Sequence, residues 1–362
     1  MIINKEKEEI RKELQCIIYP LNHLKDYKYV VVCTFYHGKY VLSRHKERNT
    51  WETQGGHIEK GETPMDSAKR ELYEESGLID ADIYPVCDYY GYNNKSHSNG
   101  MVFVAIAHKF DGLPNSEMKE IKEFDELPLE LTYPNVTPRL FEESKKKSED
   151  LLKQKTKDIK WIFFDVGSTL VDETKAYDHR ALDMIKETNI SFEEFDKKRI
   201  ELAKQGFDGN SAARKYFNLK KTPWHLEDEI PYFNTLETLD FLYSHGYNLG
   251  IIANQVRGLE QRLDSWGLLK YFKVIVSSSE VGVSKPDKLI FEKAFELSGC
   301  LPQNSVMVGD RIDNDIIPAK SVGMKTIWIK KGLSVYQNFE NKNELVDWVI
   351  NELIELKKIF IE

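Results

Sequence analysis

Residues 56–78 read GHIEKGETPMDSAKRELYEESGL, and the second half of this stretch is punctuated as a helix. Thr63 is a residue type that caps helix N-termini, Pro64 suits the first helical position, and Asp66 completes a Thr-x-x-Asp capping pattern. Gly77 is the residue type that closes a helix in the left-handed conformation. The spacing predicts a helix of about three turns over 64–76. On it Glu71, Glu74 and Glu75 stand at i, i+3 and i+4 and share one face, with Met65, Ala68 and Leu72 beside them to dock on a sheet. Carboxylates this close repel one another, and a hard divalent cation relieves the repulsion. Oxygen-only ligands suit Mg²⁺, with Mn²⁺ as a substitute. Such an ion also grips phosphates, neutralises charge at phosphorus and activates water. Arg70 is placed to pair with one glutamate and hold the geometry. For the three glutamates alone a solvated acidic helix face is the better account, so the wider spacing has to decide.

Gly56, Glu62, Arg70, Glu71, Glu74, Glu75 and Gly77, with aliphatic Leu72 and Leu78, follow the spacing G-x5-E-x7-R-E-U-x-E-E-x-G-U without departure. At ordinary usage of about 6% per residue type, seven such identities arise by chance about once per hundred million positions. On these residues the chain resembles the Nudix hydrolases, from about Asp26 to Phe141. The resemblance implies an α/β/α sandwich on a mixed sheet. It also implies Mg²⁺-dependent cleavage of the diphosphate linkage of a nucleoside diphosphate derivative or a nucleoside triphosphate. By the same likeness Glu74 and Glu75 are the main metal ligands, Glu71 binds metal or acts as base, and the carbonyl of Gly56 adds a ligand. A later loop commonly contributes one more carboxylate, for which Glu120 is the candidate and Glu117 the reserve. Gln54 departs from the proline found in many members. Trp51, Tyr89, Tyr90 and Tyr92 are candidates for stacking on a base or, equally, for the core.

Around this box the text is strand-rich. Apolar runs at 29–32 and 40–42 flank His37-Gly38 as a hairpin, and a long strand is expected over 101–108. Residues 1–26 read as a helical lead-in, 27–143 as the first domain and 144–158, polar and charged, as a linker. From 159 to 335 buried-strand runs (WIFFD, LGIIA, KVIVS, VMVGD, TIWI) alternate with amphipathic helices, which predicts a doubly wound parallel sheet. Helical sequence at about 172–231 interrupts the alternation as a cap, and 336–362 reads as a C-terminal helical segment.

In such a sheet ligands bind at the carboxyl ends of strands. Asp165, Asn254, Lys285 and the pair Asp310 and Asp315 all fall where they can converge there. An aspartate nucleophile can accept a phosphoryl group as an acyl-phosphate, provided a cation and a lysine offset its charge. With these four motifs in order, the second half resembles the haloacid-dehalogenase-like (HAD) hydrolases. The resemblance implies Asp165 as nucleophile and metal ligand, the carbonyl of Gly167 and the side chain of Asp310 as further ligands, Asp315 in support and Lys285 holding charge. Two departures matter. Gly167 stands where phosphatases of the family carry an aspartate for proton transfer, and Ala253 where Ser or Thr is expected. The half is therefore read as dephosphorylating a phosphomonoester product, or else as a ligand-binding or regulatory domain.

Composition sets the remaining bounds. A length of 362 residues favours two domains, and 41% hydrophobic with 30% charged residues is globular usage. A net charge of −8 argues against a nucleic-acid partner, and the Lys145–Lys147 run sits among glutamates as a solvated stretch. The expected partner is a small-molecule nucleotide or phosphate ester, and homo-oligomerisation is left open. Four scattered cysteines without a CxxC pair, an N-terminus lacking an apolar core and no long apolar run predict a cytoplasmic protein without membrane contact.

Overall fold

The computed structural model describes residues 13–36, 38–337 and 345–360. The chain divides into two compact units, Met1–Gln154 and Lys155–Glu362.

The first unit holds β1 (Gln15–Tyr19), β2 (Tyr29–Tyr36), β3 (Lys39–His45), β4 (Trp51–Glu52), β5 (Gln54–His57), β6 (Leu78–Tyr92), β7 (His97–Phe110) and β8 (Met118–Phe124). They form one mixed sheet, ordered β1-β6-β7-β2-β3-β4, with β5 on β2 and β8 on β3. Among these pairs β2 and β7 run parallel, Val30 opposite Met101. Both strands are apolar at nearly every position because both faces of the sheet are covered. Val30, Val32, Met101 and Phe103 point to one face with Ala68 and Leu72 of α1 (Pro64–Ser76). Cys33, Val102 and Val104 point to the other, against Leu140 and Phe141 of α2 (Thr137–Thr156). The result is the α/β/α layering that the resemblance implied. The β2–β3 turn uses Gly38 at φ 75°; His37 lies outside the described residues.

Two expectations change here. The described end of the lead-in is not helical: Gln15–Tyr19 pairs antiparallel with β6, Ile17 opposite Tyr90. Its buried Cys16 faces the core, and residues 1–12 lie outside the description. The stretch read as a linker is helix, since α2 runs unbroken to Thr156. Its lysines and glutamates are good helix formers, and Lys146 bridges Glu142 at 3.0 Å and Glu143 at 2.9 Å on the outer face.

The second unit is built on six parallel strands, β9 (Trp161–Phe164), β12 (Asn248–Ala253), β13 (Phe272–Ser277), β14 (Ser305–Gly309), β15 (Lys325–Ile329) and β16 (Trp348–Ile350). Their order is β13-β12-β9-β14-β15-β16, which leaves β9 central. Alternate residues feed opposite cores: Ile162 and Phe164 one, Phe163 and Met307 the other. A short ladder of β10 (Val171–Asp172) and β11 (Ile230–Pro231) brackets a helical insertion. The insertion comprises α3 (Thr174–Ile185), α4 (Phe192–Lys204) and α5 (Gly209–Tyr216), closed around its own buried Ala181, Ile185, Phe195 and Ala213. The C-terminal segment is not uniformly helical. Trp348–Ile350, β-branched and aromatic, adds the edge strand beside β15. All four cysteines are buried and unbridged. No described helix is long and apolar enough to cross a membrane.

Candidate active sites

The carboxylate helix forms where its caps place it. Thr63 Oγ1 accepts the N–H of Asp66, Asp66 returns the bond to the Thr63 N–H, and Gly77 closes the helix at φ 70°. A Cβ at Gly77 would lie 1.9 Å from the carbonyl oxygen of Gly112, so only glycine fits. Alongside runs β5. The Gly55 N–H donates to Glu75 Oε2 at 2.7 Å, and a Cβ at Gly56 would lie 2.2 Å from Glu71 Oε1. The strand therefore presses its bare backbone against two of the three glutamates.

Arg70 does more than pair once. Its Nε donates to Glu62 Oε1 at 2.7 Å, its Nη1 to Glu71 Oε1 at 2.7 Å and Glu74 Oε2 at 3.3 Å, and its Nη2 to the His57 carbonyl at 3.0 Å. Glu71 and Glu74 thus share one guanidinium, whereas Glu75 turns inward and pairs with no cation among the described residues. Burial pushes the Glu71 carboxyl above its ordinary value. The Glu75 carboxyl is pushed up to about 8, by burial first and then, against the Gly55 N–H, by the charges of Glu71, Glu52 and Glu117. Among the described residues these glutamates do not draw together as tightly as the second site's carboxylates do. Mutual repulsion, with one arginine to share, spreads them.

The two candidates for the later-loop carboxylate lie differently from their expected order. Ser43 Oγ reaches the Glu75 carbonyl at 2.8 Å, so its neighbour Arg44 points to the opposite face of β3, over the Trp51 ring at 5.0 Å. Glu120, opposite Arg44 in the ladder, forms its ion pair there and away from the helix. From this segment it is Glu117 whose charge acts on Glu75. Glu52 was not foreseen: it is buried, held by Arg48 at 2.7 Å, and also acts on Glu75. Gln54 spans the sheet interior between Thr34 and Ser43. Trp51 and Tyr89 are core residues, while Tyr90 and Tyr92 stack at 6.2 Å.

In the second unit Asp165 follows the central strand. Lys285 Nζ bonds Asp165 Oδ1 and Asp315 Oδ1, each at 2.6 Å. Asn254 fixes that lysine's backbone, accepting its N–H at 2.8 Å and donating to its carbonyl at 2.9 Å. Asp165, Asp310 and Asp315 bring carboxylate oxygens within 4.8 Å of one another. Burial, then the charges of Asp315 and Asp165, raises Asp310 well above the usual carboxylate range. Asp315 is raised to about 6, by burial first and against the pull of Lys285. These buried acids fit a divalent cation, which would balance charge that one lysine leaves uncompensated.

At Gly167 an unforeseen group is present. A Cβ there would lie 2.3 Å from Oε1 of Glu173. Burial, then the charge of Asp165, pushes the Glu173 carboxyl up to about 8. No motif spacing marked this residue. Beside it opens a cavity of about 230 Å³ lined by Ser168, Tyr177, Arg199, Asp208, Asp310 and Arg311.

Each half of the chain is similar to known proteins. Residues 27–150 match the NUDIX domain model and residues 162–329 the model of haloacid dehalogenase-like hydrolases. The glyceraldehyde 3-phosphate phosphatases of Methanothermobacter thermautotrophicus and Pyrococcus furiosus are 30% and 34% identical to it. Each alignment covers 56% of this chain, and 99% and 92% of the two relatives. A solved HAD phosphatase from Thermococcus onnurineus is 28% identical, covering 56% of this chain and 97% of its own, with a TM-score of 0.41. A pyrophosphohydrolase from Bacillus subtilis is 21% identical, covering 37% and 90%, with a TM-score of 0.33. Through its second half the chain belongs to the haloacid dehalogenase-like hydrolases, and residues 27–150 match a NUDIX domain. It is a hydrolase of phosphorus-containing compounds.

Proposed function

We propose that the NUDIX half cleaves the diphosphate linkage of a nucleoside diphosphate derivative or nucleoside triphosphate with Mg²⁺, and that the second half removes phosphate from a phosphomonoester. The observation that carries the first activity is Glu75, a half-buried carboxyl pressed by neighbouring acids and, among the described residues, paired with no cation. Glu71, Glu74, Glu75 and the Gly56 carbonyl would hold the ion, with Glu117 nearby. When bound, it supplies charge neutralisation at the phosphates and an acidified water. Arg70 keeps Glu71 and Glu74 oriented, and a Glu71 oxygen takes the proton of the attacking water.

In the second half Asp165, Asp310 and the Gly167 carbonyl would hold the ion, with Asp315 in support. The Asp165 carboxylate attacks phosphorus, and Lys285 balances its charge against that of Asp315. The similarity to glyceraldehyde 3-phosphate phosphatases and a cavity of about 230 Å³ support a small phosphomonoester as substrate. The net charge of −8 supports small molecules rather than nucleic acid as partners, and the four buried, unbridged cysteines support the cytoplasm.

Glu74→Gln and Asp165→Asn, assayed separately with nucleoside di- and triphosphates, nucleotide sugars and simple phosphate esters, test the reading. The first is expected to remove diphosphate cleavage alone, the second phosphate release from monoesters alone. Unchanged phosphate release by Asp165→Asn would show that the second half is not the phosphatase. Unchanged diphosphate cleavage by Glu74→Gln would do the same for the first.

A further inference from the structure

Position 167 has no side chain, yet the space beside it is filled. A Cβ there would meet Oε1 of Glu173 at 2.3 Å and both Cδ and Oε2 at 2.4 Å. The Glu173 carboxyl thus sits where a side chain two residues after Asp165 would begin. The loop explains the placement. After β9 the chain turns at Ser168 with φ 52°. The N–H groups of Leu170 and Val171 close on the Val166 carbonyl at 2.9 and 3.0 Å, and Val171 bridges back to Gly167. The β10–β11 ladder then holds the returning strand, and Glu173 follows directly from it.

This carboxyl is 7% exposed and forms no hydrogen bond or ion pair among the described residues. The charged groups around it and around the nucleophile are otherwise committed, Asp172 accepting the Thr174 N–H at 2.8 Å. Lys285 binds Asp165 and Asp315. Glu229 accepts from Trp224 Nε1 at 2.6 Å and pairs with Arg262 at 3.2 Å. Arg311 pairs with Asp208 and Asp313. Asp310 stands in the cation-holding group with Asp165 and Asp315. A buried carboxyl left without a partner beside a nucleophile is costly unless something uses it.

Hydrolysis of an alkyl phosphate at Asp165 has such a use. As an Asp165 oxygen bonds to phosphorus, the bond from phosphorus to the alcohol oxygen breaks, and that oxygen leaves with the electron pair as a strong base needing a proton. We infer that Glu173 donates this proton to the leaving alcohol and then, as carboxylate, takes one from the water that attacks the acyl-phosphate. In that second step the water oxygen bonds to phosphorus and the bond from phosphorus to Asp165 breaks. Inorganic phosphate departs, and both carboxyl groups return to their starting forms. The inference rests on the phosphatase reading of this half, and it makes Gly167 a requirement of the site, since any larger residue would displace Glu173.

Glu173→Gln in the full chain with Mg²⁺ tests it, comparing a simple alkyl phosphate with 4-nitrophenyl phosphate, whose leaving group departs unprotonated. Turnover of the alkyl ester is expected to fall on the order of 10²- to 10⁴-fold. With the aryl ester the variant should release a burst of about one nitrophenolate per chain and then stall. The phosphorylated protein should be visible by intact mass, and absent when Asp165→Asn is added. A second variant, Glu173→Ala with Gly167→Asp, returns a carboxyl to the gap from its other side. It should regain alkyl-ester turnover by about tenfold over Glu173→Ala alone. Equal losses with both esters and no burst, no loss at all, or no regain would each overturn the inference while wild-type turnover leaves the phosphatase reading standing. If the wild type releases phosphate from neither ester, both fall together.

Discussion

Replacing Glu75 by glutamine should stabilise the protein when divalent ions are withheld. The carboxyl titrates near 4.5 when unfolded and is pushed up to about 8 in the fold. Because the folded value is the higher one, protonation favours the folded state. The contribution is intact below about pH 4.5 and is lost as the pH climbs to about 8. At pH 7 the climb spans about 2.5 pH units, or about 3.4 kcal/mol at 1.36 kcal/mol per unit. Relaxation around a partly accessible charge brings the expected effect to about 1–3 kcal/mol. Glutamine keeps an oxygen for the Gly55 N–H and carries no charge. In EDTA at pH 7 the first unit of Glu75→Gln should therefore melt on the order of 5 °C above wild type, at about 2–4 °C per kcal/mol. The advantage should vanish near pH 4.5. Added Mg²⁺ should reverse the order, raising wild type more than the variant. The assay is thermal unfolding of the full chain across pH 4.5–8, with EDTA or Mg²⁺. Wild-type stability that stays flat over that range in EDTA, or Mg²⁺ raising both proteins equally, would refute the reasoning.

Gly56→Ala sets a Cβ 2.2 Å from Glu71 Oε1, the end of a flexible side chain. The protein should fold normally while diphosphate turnover drops by on the order of 10²-fold, read by kinetics alongside unchanged melting. Lys285→Met leaves Asp165 and Asp315 buried without their shared cation. A loss of about 3–5 kcal/mol is expected by thermal unfolding, partly recovered by Mg²⁺.

The helix over 64–76 was legible to the residue because its signals are local: a capping box at Thr63, proline at the first turn and a left-handed glycine at 77. The five parallel strands from 161 to 329 were legible as short apolar runs. Long-range pairing was not. Gln15–Tyr19 becomes a strand because β6 offers it an edge, and Trp348–Ile350 because β15 does. Along α2, charge density hid an apolar stripe at Leu140, Phe141 and Leu151 that binds it to the sheet. Whether Glu120 or Glu117 faces the carboxylate helix was not legible, because alternation along β8 and an irregularity near Arg44 and His45 decide it only once pairing is known. Glu173 was invisible for a related reason: a tight return loop, and no spacing rule, lays it over Gly167.

Lys285, clasped between Asp165 and Asp315, gives the second unit a resident positive charge at its centre. Among the described residues the Glu75 carboxyl has no such stand-in. In a cell short of magnesium the two halves should therefore fare differently, the NUDIX half loosening first while its neighbour keeps its shape. Metal supply would then govern the lifetime of the first half as well as its rate.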